Sequence, residues 1–158
     1  MDSQGSAEVR RIVVGVDGSE TSRHALRWAA DEAKNRRAQL HVVHAWEVPA
    51  PMVGVGVGAG RRGAQTEGQQ EEASRLVAEV VRDELGEQPP GDVRTSIGRG
   101  PAAGVLLDAA RDADLLVVGS RGLGGFRGLL LGSVSSKMAA HAPCPVVIVR
   151  PAAPQDEQ

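Results

Sequence analysis

Short apolar runs that stop at turn residues recur along this chain, and they constrain its fold more than any other feature. Residues 12–16, 40–46, 114–118 and 146–149 are rich in Val, Leu and Ile and show little alternation of polar and apolar residues. Continuous runs of this kind are typical of strands that are buried on both faces of a parallel sheet. Residues 92–97 form a more polar run, which predicts a strand at the edge of the sheet.

Segments with helical periodicity separate these strands. Ser19 is predicted to cap the first helix, and a second helix is predicted from about Glu67 to Leu85. Pro101 is predicted to be the first residue of a third helix, and Ser133 is predicted to cap a short fourth one. This alternation predicts an α/β fold: a single-domain, open, parallel five-stranded sheet with helices on both faces, Rossmann-like in its layout.

The length of 158 residues fits one domain with a single core. We predict that residues 10–150 form this domain and that the polar ends, residues 1–9 and 151–158, are disordered. Residues 54–63 are rich in glycine, so a flexible loop is predicted there. The sequence does not indicate what that loop does.

Composition and charge exclude several classes of partner. Tyr is absent and Phe126 is the only Phe, so the chain lacks the aromatic platforms on which single-stranded nucleic acids stack. A formal net charge of -2 provides no broad positive field for nucleic acid or anionic lipid. No apolar run approaches the roughly 20 residues that cross a bilayer. Cys144 is the only cysteine, as suits a reducing compartment. We therefore expect a cytoplasmic protein with neither nucleic acid nor membrane as a partner.

A glycine-rich segment separates the fourth strand from the last helix. Gly119, Gly122 and Gly132 lie in it, with three more glycines between the last two, and Ser133 follows directly. Glycine lets backbone N–H groups approach an anion closely, and a helix start adds unpaired N–H groups with a partial positive charge. The segment therefore predicts a phosphate cradle. No lysine follows a glycine in this chain, so the lysine-containing phosphate loop of fast nucleotide hydrolases is absent.

The predicted parallel sheet indicates where a ligand binds. Parallel α/β sheets bind ligands beyond the carboxyl ends of their strands, so the candidate site consists of residues 15–19, 45–47 and 119–133. Asp17 ends the first strand, where a carboxylate is a natural partner for a ligand hydroxyl or for Mg²⁺. His41 and His44 are three residues apart on one strand and therefore face opposite sides, which disfavours a shared metal site.

The spacing of the glycines resembles that of a known family. Two residues separate Gly119 from Gly122, and nine separate Gly122 from Gly132-Ser133, as in the ATP-binding branch of the universal stress protein family. The resemblance extends to the first strand with Asp17, to His44-Ala45, to residues 98–101 and to residues 142–146. It covers residues 11–150.

The resemblance implies a strand order of 3-2-1-4-5, four helices, and a homodimer formed through the last strand, Val146–Val149. It also implies that ATP binds together with Mg²⁺, for which Asp17 is the possible ligand. The resemblance also implies which residues contact the nucleotide. Gly15, Val16 and Asp17 would line the adenosine pocket, Ala45 and Val118 would contact the adenine, and Gly119 and Arg121 would lie near the ribose. The triphosphate would be held by Gly122, Gly132, Ser133, Val134 and Ser135.

Three functions are compatible with these features. The first is a stress-response regulator in which ATP occupancy switches the glycine loop between states. The second is a slow ATPase, for which Asp17 is the only candidate general base. The third is a sensor of cyclic AMP or another adenine nucleotide. We expect binding rather than catalysis, with at most slow hydrolysis.

Overall fold

The structure is a computed structural model that describes residues 8–48, 59–123 and 130–151, with side chains of the second helix described from Thr66 onward. The predicted disordered ends lie outside these ranges, except for residues 8, 9 and 151. Within the described ranges, no helix combines the length and the apolar character that a bilayer crossing needs.

Strands and helices alternate along the described chain, as predicted. The strands are β1 (Arg11–Gly15), β2 (Gln39–Trp46), β3 (Val93–Arg99), β4 (Leu115–Gly119) and β5 (Val146–Val149). The helices are α1 (Glu20–Arg36), α2 (Ala59–Leu85), α3 (Ala102–Ala110) and α4 (Ser133–His141).

The strands form one five-stranded sheet in the order β3-β2-β1-β4-β5, and every neighbouring pair is parallel. This confirms the predicted fold class and strand order. The polar strand β3 lies at one edge, also as predicted. Strand order reverses between β1 and β4, which places the carboxyl ends of these two strands at the position where open α/β sheets bind ligands.

Two apolar cores cover the faces of the sheet. Ile12 and Val14 of β1 join a core with α1 and α2, whereas Val13 between them joins a core with α3 and α4. Consecutive side chains of a strand point to opposite faces, so helices cover both faces. This double coverage explains why the strands are nearly continuous apolar runs.

The predicted loop at residues 54–63 was partly wrong. Helix α2 already begins at Ala59, so residues 59–63 are helical, while residues 54–58 lie outside the described ranges. Ala and Arg in this stretch favour helix. Adding a turn to an existing helix also avoids the cost of nucleation. The amphipathic part of α2 can therefore extend towards its N-terminus through Gly60 and Gly63.

Two predicted helix starts were wrong by one residue, and one was right. Pro101 and Gly132 occupy the N-cap positions of α3 and α4, so Ser133 is the first helical residue rather than the cap. The backbone is still extended at both caps, with ψ of 135° at Pro101 and 175° at Gly132. Ser19 caps α1 as predicted, since its hydroxyl accepts a hydrogen bond from the Ser22 N–H at 3.2 Å.

Candidate functional site

A crevice with a volume of about 550 Å³ lies where β1 and β4 end. All of the residues that the resemblance implied for nucleotide contact line it. These are Gly15, Val16, Asp17, Ala45, Val118, Gly119, Arg121, Gly122, Gly132, Ser133, Val134 and Ser135. The loops after β1, β2 and β4 therefore meet at one cavity, as the order of the strands predicted.

The Asp17 side chain connects two loops of the crevice. One carboxylate oxygen accepts a hydrogen bond from the Ser19 N–H at 2.9 Å, and the other accepts one from the Leu123 N–H at 3.2 Å. The Asp17 N–H donates to the Ser22 hydroxyl oxygen at 3.2 Å. The carboxylate thus holds the turn after β1 against the start of the glycine segment.

These contacts set the charge of Asp17. Burial raises the pKa of its carboxyl, but hydrogen bonds from Ser19, Ser22 and Leu123 together outweigh burial, so the pKa lies below its ordinary value. Asp17 is therefore a carboxylate at neutral pH. A carboxylate with a lowered pKa is a weak general base, but it is a suitable oxygen ligand for a hard cation.

The glycine segment is closed at its base by Ser120. The buried Ser120 carbonyl oxygen accepts hydrogen bonds from the Gly132 N–H at 2.7 Å and from the Ser135 hydroxyl at 3.0 Å. Ser135 is itself buried, and its hydroxyl also lies 3.1 Å from the Gly132 carbonyl oxygen. Ser135 lines the crevice, but its hydroxyl serves to tie the two ends of the segment together.

The start of α4 supplies backbone donors to the crevice. The first N–H groups of a helix have no partner within the helix, and Gly132 at the N-cap has no side chain that could accept from them. Ser133 and Val134, which carry such groups, line the crevice beside Arg121. The helix end and the guanidinium together favour an anion on this side.

Three glycines of the crevice are closely packed. A Cβ atom on Gly15 would lie 2.8 Å from a methyl carbon of Leu106, and one on Gly119 would lie 2.9 Å from Thr21 Cγ2. A Cβ atom on Gly122 would lie 2.7 Å from the Asp17 carboxylate oxygen that accepts from Leu123. Gly132 differs, since its Cβ would meet nothing closer than 3.5 Å.

A metal ion at this site would depend on its ligand for most of its coordination. In the described part of the chain, no cluster of His, Cys, Asp and Glu is suited to hold a metal, and Asp17 is the one carboxylate that lines the crevice. Mg²⁺ commonly takes one or two carboxylates, substrate phosphates and water. Asp17 therefore fits Mg²⁺ that arrives with a polyphosphate.

Sequence reasoning missed several residues of the crevice. These are Leu106 and Ala102 of α3, Val43 and His44 of β2, and Ser22 of α1, whereas Leu123, which also lines the crevice, lies within the predicted segment 119–133. Most have side chains typical of the core or of a helix surface, and only the packing of α3 on the sheet brings Leu106 to Gly15. The sequence could have indicated His44 as a crevice residue, because it stands next to Ala45 at the end of a strand.

The sheet order, the helices on both faces and the crevice at the reversal of strand order define a Rossmann-like α/β domain. The sequence profile of the Universal stress protein family matches residues 8–150. The chain belongs to the universal stress protein family.

A universal stress protein of Mycolicibacterium smegmatis is 39% identical over 152 residues, which are 95% of this chain and 49% of that relative. The chain thus spans about half the length of several curated relatives that it matches.

Among solved structures, the universal stress protein UspA from Lactobacillus plantarum superimposes with a TM-score of 0.75 at 22% identity. The match covers 91% of this chain and 99% of that one, and it shows the shared fold. A universal stress protein in complex with cAMP matches with a TM-score of 0.58 at 27% identity, covering 91% of this chain and 98% of that one.

Proposed function

We propose that this chain is an ATP-binding universal stress protein that acts as a nucleotide-dependent regulator of a stress response. The observation that carries the proposal is the meeting of the Asp17 turn, the glycine segment and the α4 N-terminus around one crevice. The crevice volume of about 550 Å³ lies in the usual range for small-molecule sites. The protein works by binding, and occupancy changes what its surface presents to a partner.

Two sets of crevice residues, one apolar and one polar, suit the base and the phosphates of a nucleotide. Val16, Val43, Val118 and Leu106 are buried apolar residues that form a wall for a base. The same crevice is also lined by Arg121 and by the backbone donors at the start of α4. An adenosine against the apolar wall with its phosphates toward α4 satisfies both sets, and Asp17 lies where a ribose hydroxyl or a phosphate-bound Mg²⁺ would meet a carboxylate.

Hydrolysis is not part of the proposal. Asp17 is the one carboxylate among the described residues of the crevice, and both of its oxygens already accept backbone hydrogen bonds. Its lowered pKa also makes it a poor base for activating water. A slow background reaction is the most that this arrangement supports.

Cyclic AMP is the second candidate ligand, because a relative at 27% identity is a universal stress protein in complex with cAMP. A cyclic monophosphate needs a single phosphate subsite, whereas ATP would use the donors of α4, Arg121 and the glycine segment together. The larger set of donors favours ATP for this chain.

We also propose that the protein is a cytoplasmic homodimer that assembles through β5. The half-buried residues of this edge strand, Val146–Val149, are all apolar. Cys144 beside them is a half-buried thiol, and burial, followed by the Asp114 charge, raises its pKa. A protonated thiol is resistant to oxidation, which agrees with a structural role in a reducing compartment.

Isothermal titration calorimetry of the purified chain tests the ligand. ATP with Mg²⁺, ATP with chelator and cyclic AMP are each titrated up to millimolar concentration, and native mass spectrometry shows any nucleotide that copurifies. We expect MgATP to bind more tightly than cyclic AMP. Preference for cyclic AMP would replace the ligand assignment, and the absence of any adenine-nucleotide binding would overturn the proposed function.

A further inference from the structure

The turn between β1 and α1, residues 16–19, brings Asp17 to the crevice, and side chains from outside the turn hold two of its carbonyl oxygens. The Nδ1 atom of His44 lies 2.8 Å from the Val16 carbonyl oxygen. The Nε atom of Arg23 lies 3.4 Å from the Gly18 carbonyl oxygen. A carbonyl oxygen only accepts, so Nδ1 of His44 carries the hydrogen, and both side chains donate to the turn.

His44 attaches the turn to the sheet. The Val16 N–H donates to the Val43 carbonyl oxygen at 2.9 Å, and His44 Nδ1 donates to the carbonyl oxygen of Val16. Val16 is therefore fixed through both its N–H and its carbonyl to the end of β2. Asp17 follows it directly, so the direction of the Asp17 side chain depends on this attachment.

Arg23 attaches the turn to α2. Its Nη1 atom lies 3.3 Å from an Asp83 carboxylate oxygen and 3.4 Å from one of Glu84, whose side chain is only 12% exposed. Arg27 also pairs with Glu84 but is not bonded to the turn. The two arginines thus share an acidic partner, and only Arg23 connects that partner to Gly18.

Gly18 makes this second attachment necessary. Its φ of +84° is a left-handed backbone conformation that glycine adopts at little cost and that gives the turn no steric preference of its own. The carbonyl of such a residue is oriented by its partners rather than by its side chain. The Ser19 N–H of the same peptide unit donates to Asp17 at 2.9 Å, and the longer bond from Arg23 adds to that orientation from the side of α2.

We propose that His44 and Arg23 are positioning residues of the crevice, which hold the turn so that the Asp17 carboxylate meets the bound nucleotide. The proposal rests on the proposed nucleotide binding. It assigns both residues an action through Val16 and Gly18, since their bonded nitrogens point to the turn.

The test compares MgATP dissociation constants and backbone NMR spectra of variants. In His44→Asn, the side-chain amide nitrogen is bonded to Cγ, as Nδ1 is in histidine, so the hydrogen bond to Val16 is retained. His44→Leu removes that hydrogen bond. Arg23→Met is matched by Arg27→Met, which also loses a pair with Glu84 but leaves the turn untouched. Loss of one positioning bond should weaken MgATP binding about tenfold in His44→Leu, whose bond to Val16 is 2.8 Å long, and about threefold in Arg23→Met, whose bond to Gly18 is longer at 3.4 Å.

The amide signals of Ser19 and Leu123 report the two bonds that the Asp17 carboxylate accepts, and they need no ligand. We expect both signals to shift in His44→Leu and Arg23→Met, and to stay near their wild-type positions in His44→Asn and Arg27→Met. If His44→Leu does not fold, the comparison of Arg23→Met with Arg27→Met and the amide signals of His44→Asn still test the proposal.

The proposal is overturned if Arg23→Met and Arg27→Met behave alike, or if the Ser19 and Leu123 amide signals shift as far in His44→Asn as in His44→Leu. Because His44 also lines the crevice, its variants are judged by these ligand-free signals and not by affinity. Failure of the wild type to bind any adenine nucleotide would sink the proposed function instead. The amide signals would then still show whether these side chains hold the turn.

Discussion

Gly122 and Gly132 occupy similar places in the glycine motif but meet different neighbours. Gly122 packs against the Asp17 carboxylate, so any Cβ atom there strains the protein itself. Gly132 has room for a Cβ atom, and its φ of -76° and ψ of 175° suit any residue. Its requirement for glycine, if it has one, comes from the ligand.

The Gly132→Ala variant should therefore separate ligand contact from folding. We expect the variant to fold with a melting temperature no more than about 4 °C below wild type, because the backbone is unstrained and alanine is a poorer N-cap than glycine by about 1 kcal/mol. ATP affinity should fall at least about tenfold, since the methyl group projects where backbone meets phosphate. Gly122→Ala is the comparison variant, and it should lose both stability and affinity. Normal ATP binding by Gly132→Ala would show that the phosphates lie elsewhere.

His41 lies in a row of polar side chains away from the crevice. Arg11 Nη2 is 3.0 Å from its Nδ1, and its Nε2 is 2.7 Å from the Ser96 hydroxyl. A guanidinium only donates, so Nδ1 accepts and Nε2 carries the hydrogen. His41 therefore donates to Ser96 and cannot take its proton, which excludes the base role that a Ser-His pair suggests.

This arrangement predicts a stability change in mild acid. Burial, followed by the charges of Arg11 and Arg94, lowers the pKa of His41. The unfolded chain then binds a proton more readily than the folded one, so the stabilisation is complete above about pH 6.5 and is lost as pH falls through the folded-state pKa. Urea unfolding between pH 7.5 and 5 should show a smaller decline in His41→Gln than in wild type. Equal declines would contradict the assignment.

The site residues could be predicted where a motif specifies them, but not where packing does. Gly119, Gly122 and Gly132-Ser133 have a fixed spacing, and Asp17 ends an evident strand. The bond from His44 to Val16 joins residues 28 positions apart, and no local pattern encodes it. Such contacts depend on the register of β1 and β2, which a single sequence does not reveal.

At the scale of the element, a glycine inside helix α2 and the glycine that follows the helix differ in backbone conformation. Gly68 lies in the interior of the helix, and Gly86 follows its last residue with a φ of +88°. A Cβ atom would find open space at both positions. Conformation alone therefore decides the effect of adding a methyl group.

We expect Gly68→Ala to stabilise the protein by up to about 1 kcal/mol, because alanine is the better helix former. Gly86→Ala should destabilise it by about 1 kcal/mol, since a left-handed conformation is costly for a residue with a Cβ atom. Chemical unfolding of both variants measures the difference. Effects of the same sign would contradict the boundaries of α2.

The ends of the elements were the least predictable part of the fold. The interior of α2 has clear periodicity at Ala73, Val77 and Val80, all of which are buried. Its first turns contain glycine and arginine, which resemble a loop in composition and become helical as an extension of the periodic segment. Apolar periodicity marks the buried face of a helix, and residues 59–63 carry no such pattern in the sequence, so the pattern did not locate this start.

At the scale of the molecule, alternation of strands and helices was enough to predict a parallel α/β sheet. The order of the strands was not contained in that pattern, because several orders satisfy the same alternation. It came from the resemblance to a family, and the sheet confirms it. Physical reasoning then placed the crevice, since the reversal of order follows once the order is known.

The two edges of the sheet differ in a way that bears on assembly. β3 exposes Arg94, Thr95 and Ser96, and such polar edges resist pairing with another chain. β5 has no charged residue, and its side chains are only partly covered by the two cores. An apolar edge of this kind is stabilised when a second edge pairs with it. Pairing of β5 with the β5 of a second copy also closes the assembly by two-fold symmetry.

Ile148→Lys should therefore convert the proposed dimer to a monomer, because it places a charge on the pairing edge. Thr95→Lys adds the same charge to the opposite edge, at an exposed position, and should leave the mass in solution unchanged. Sedimentation velocity gives the masses, and far-ultraviolet circular dichroism confirms that both variants remain folded. The crevice is lined by β1, β2 and β4, by the loops that follow them and by helices α1, α3 and α4, with no residue of β5. The monomer should therefore still bind ATP, with an affinity within about threefold of wild type, which corresponds to less than about 1 kcal/mol. A wild type that sediments as a monomer would contradict the proposed interface, and a monomeric variant that loses ATP binding would show that the second copy completes the site.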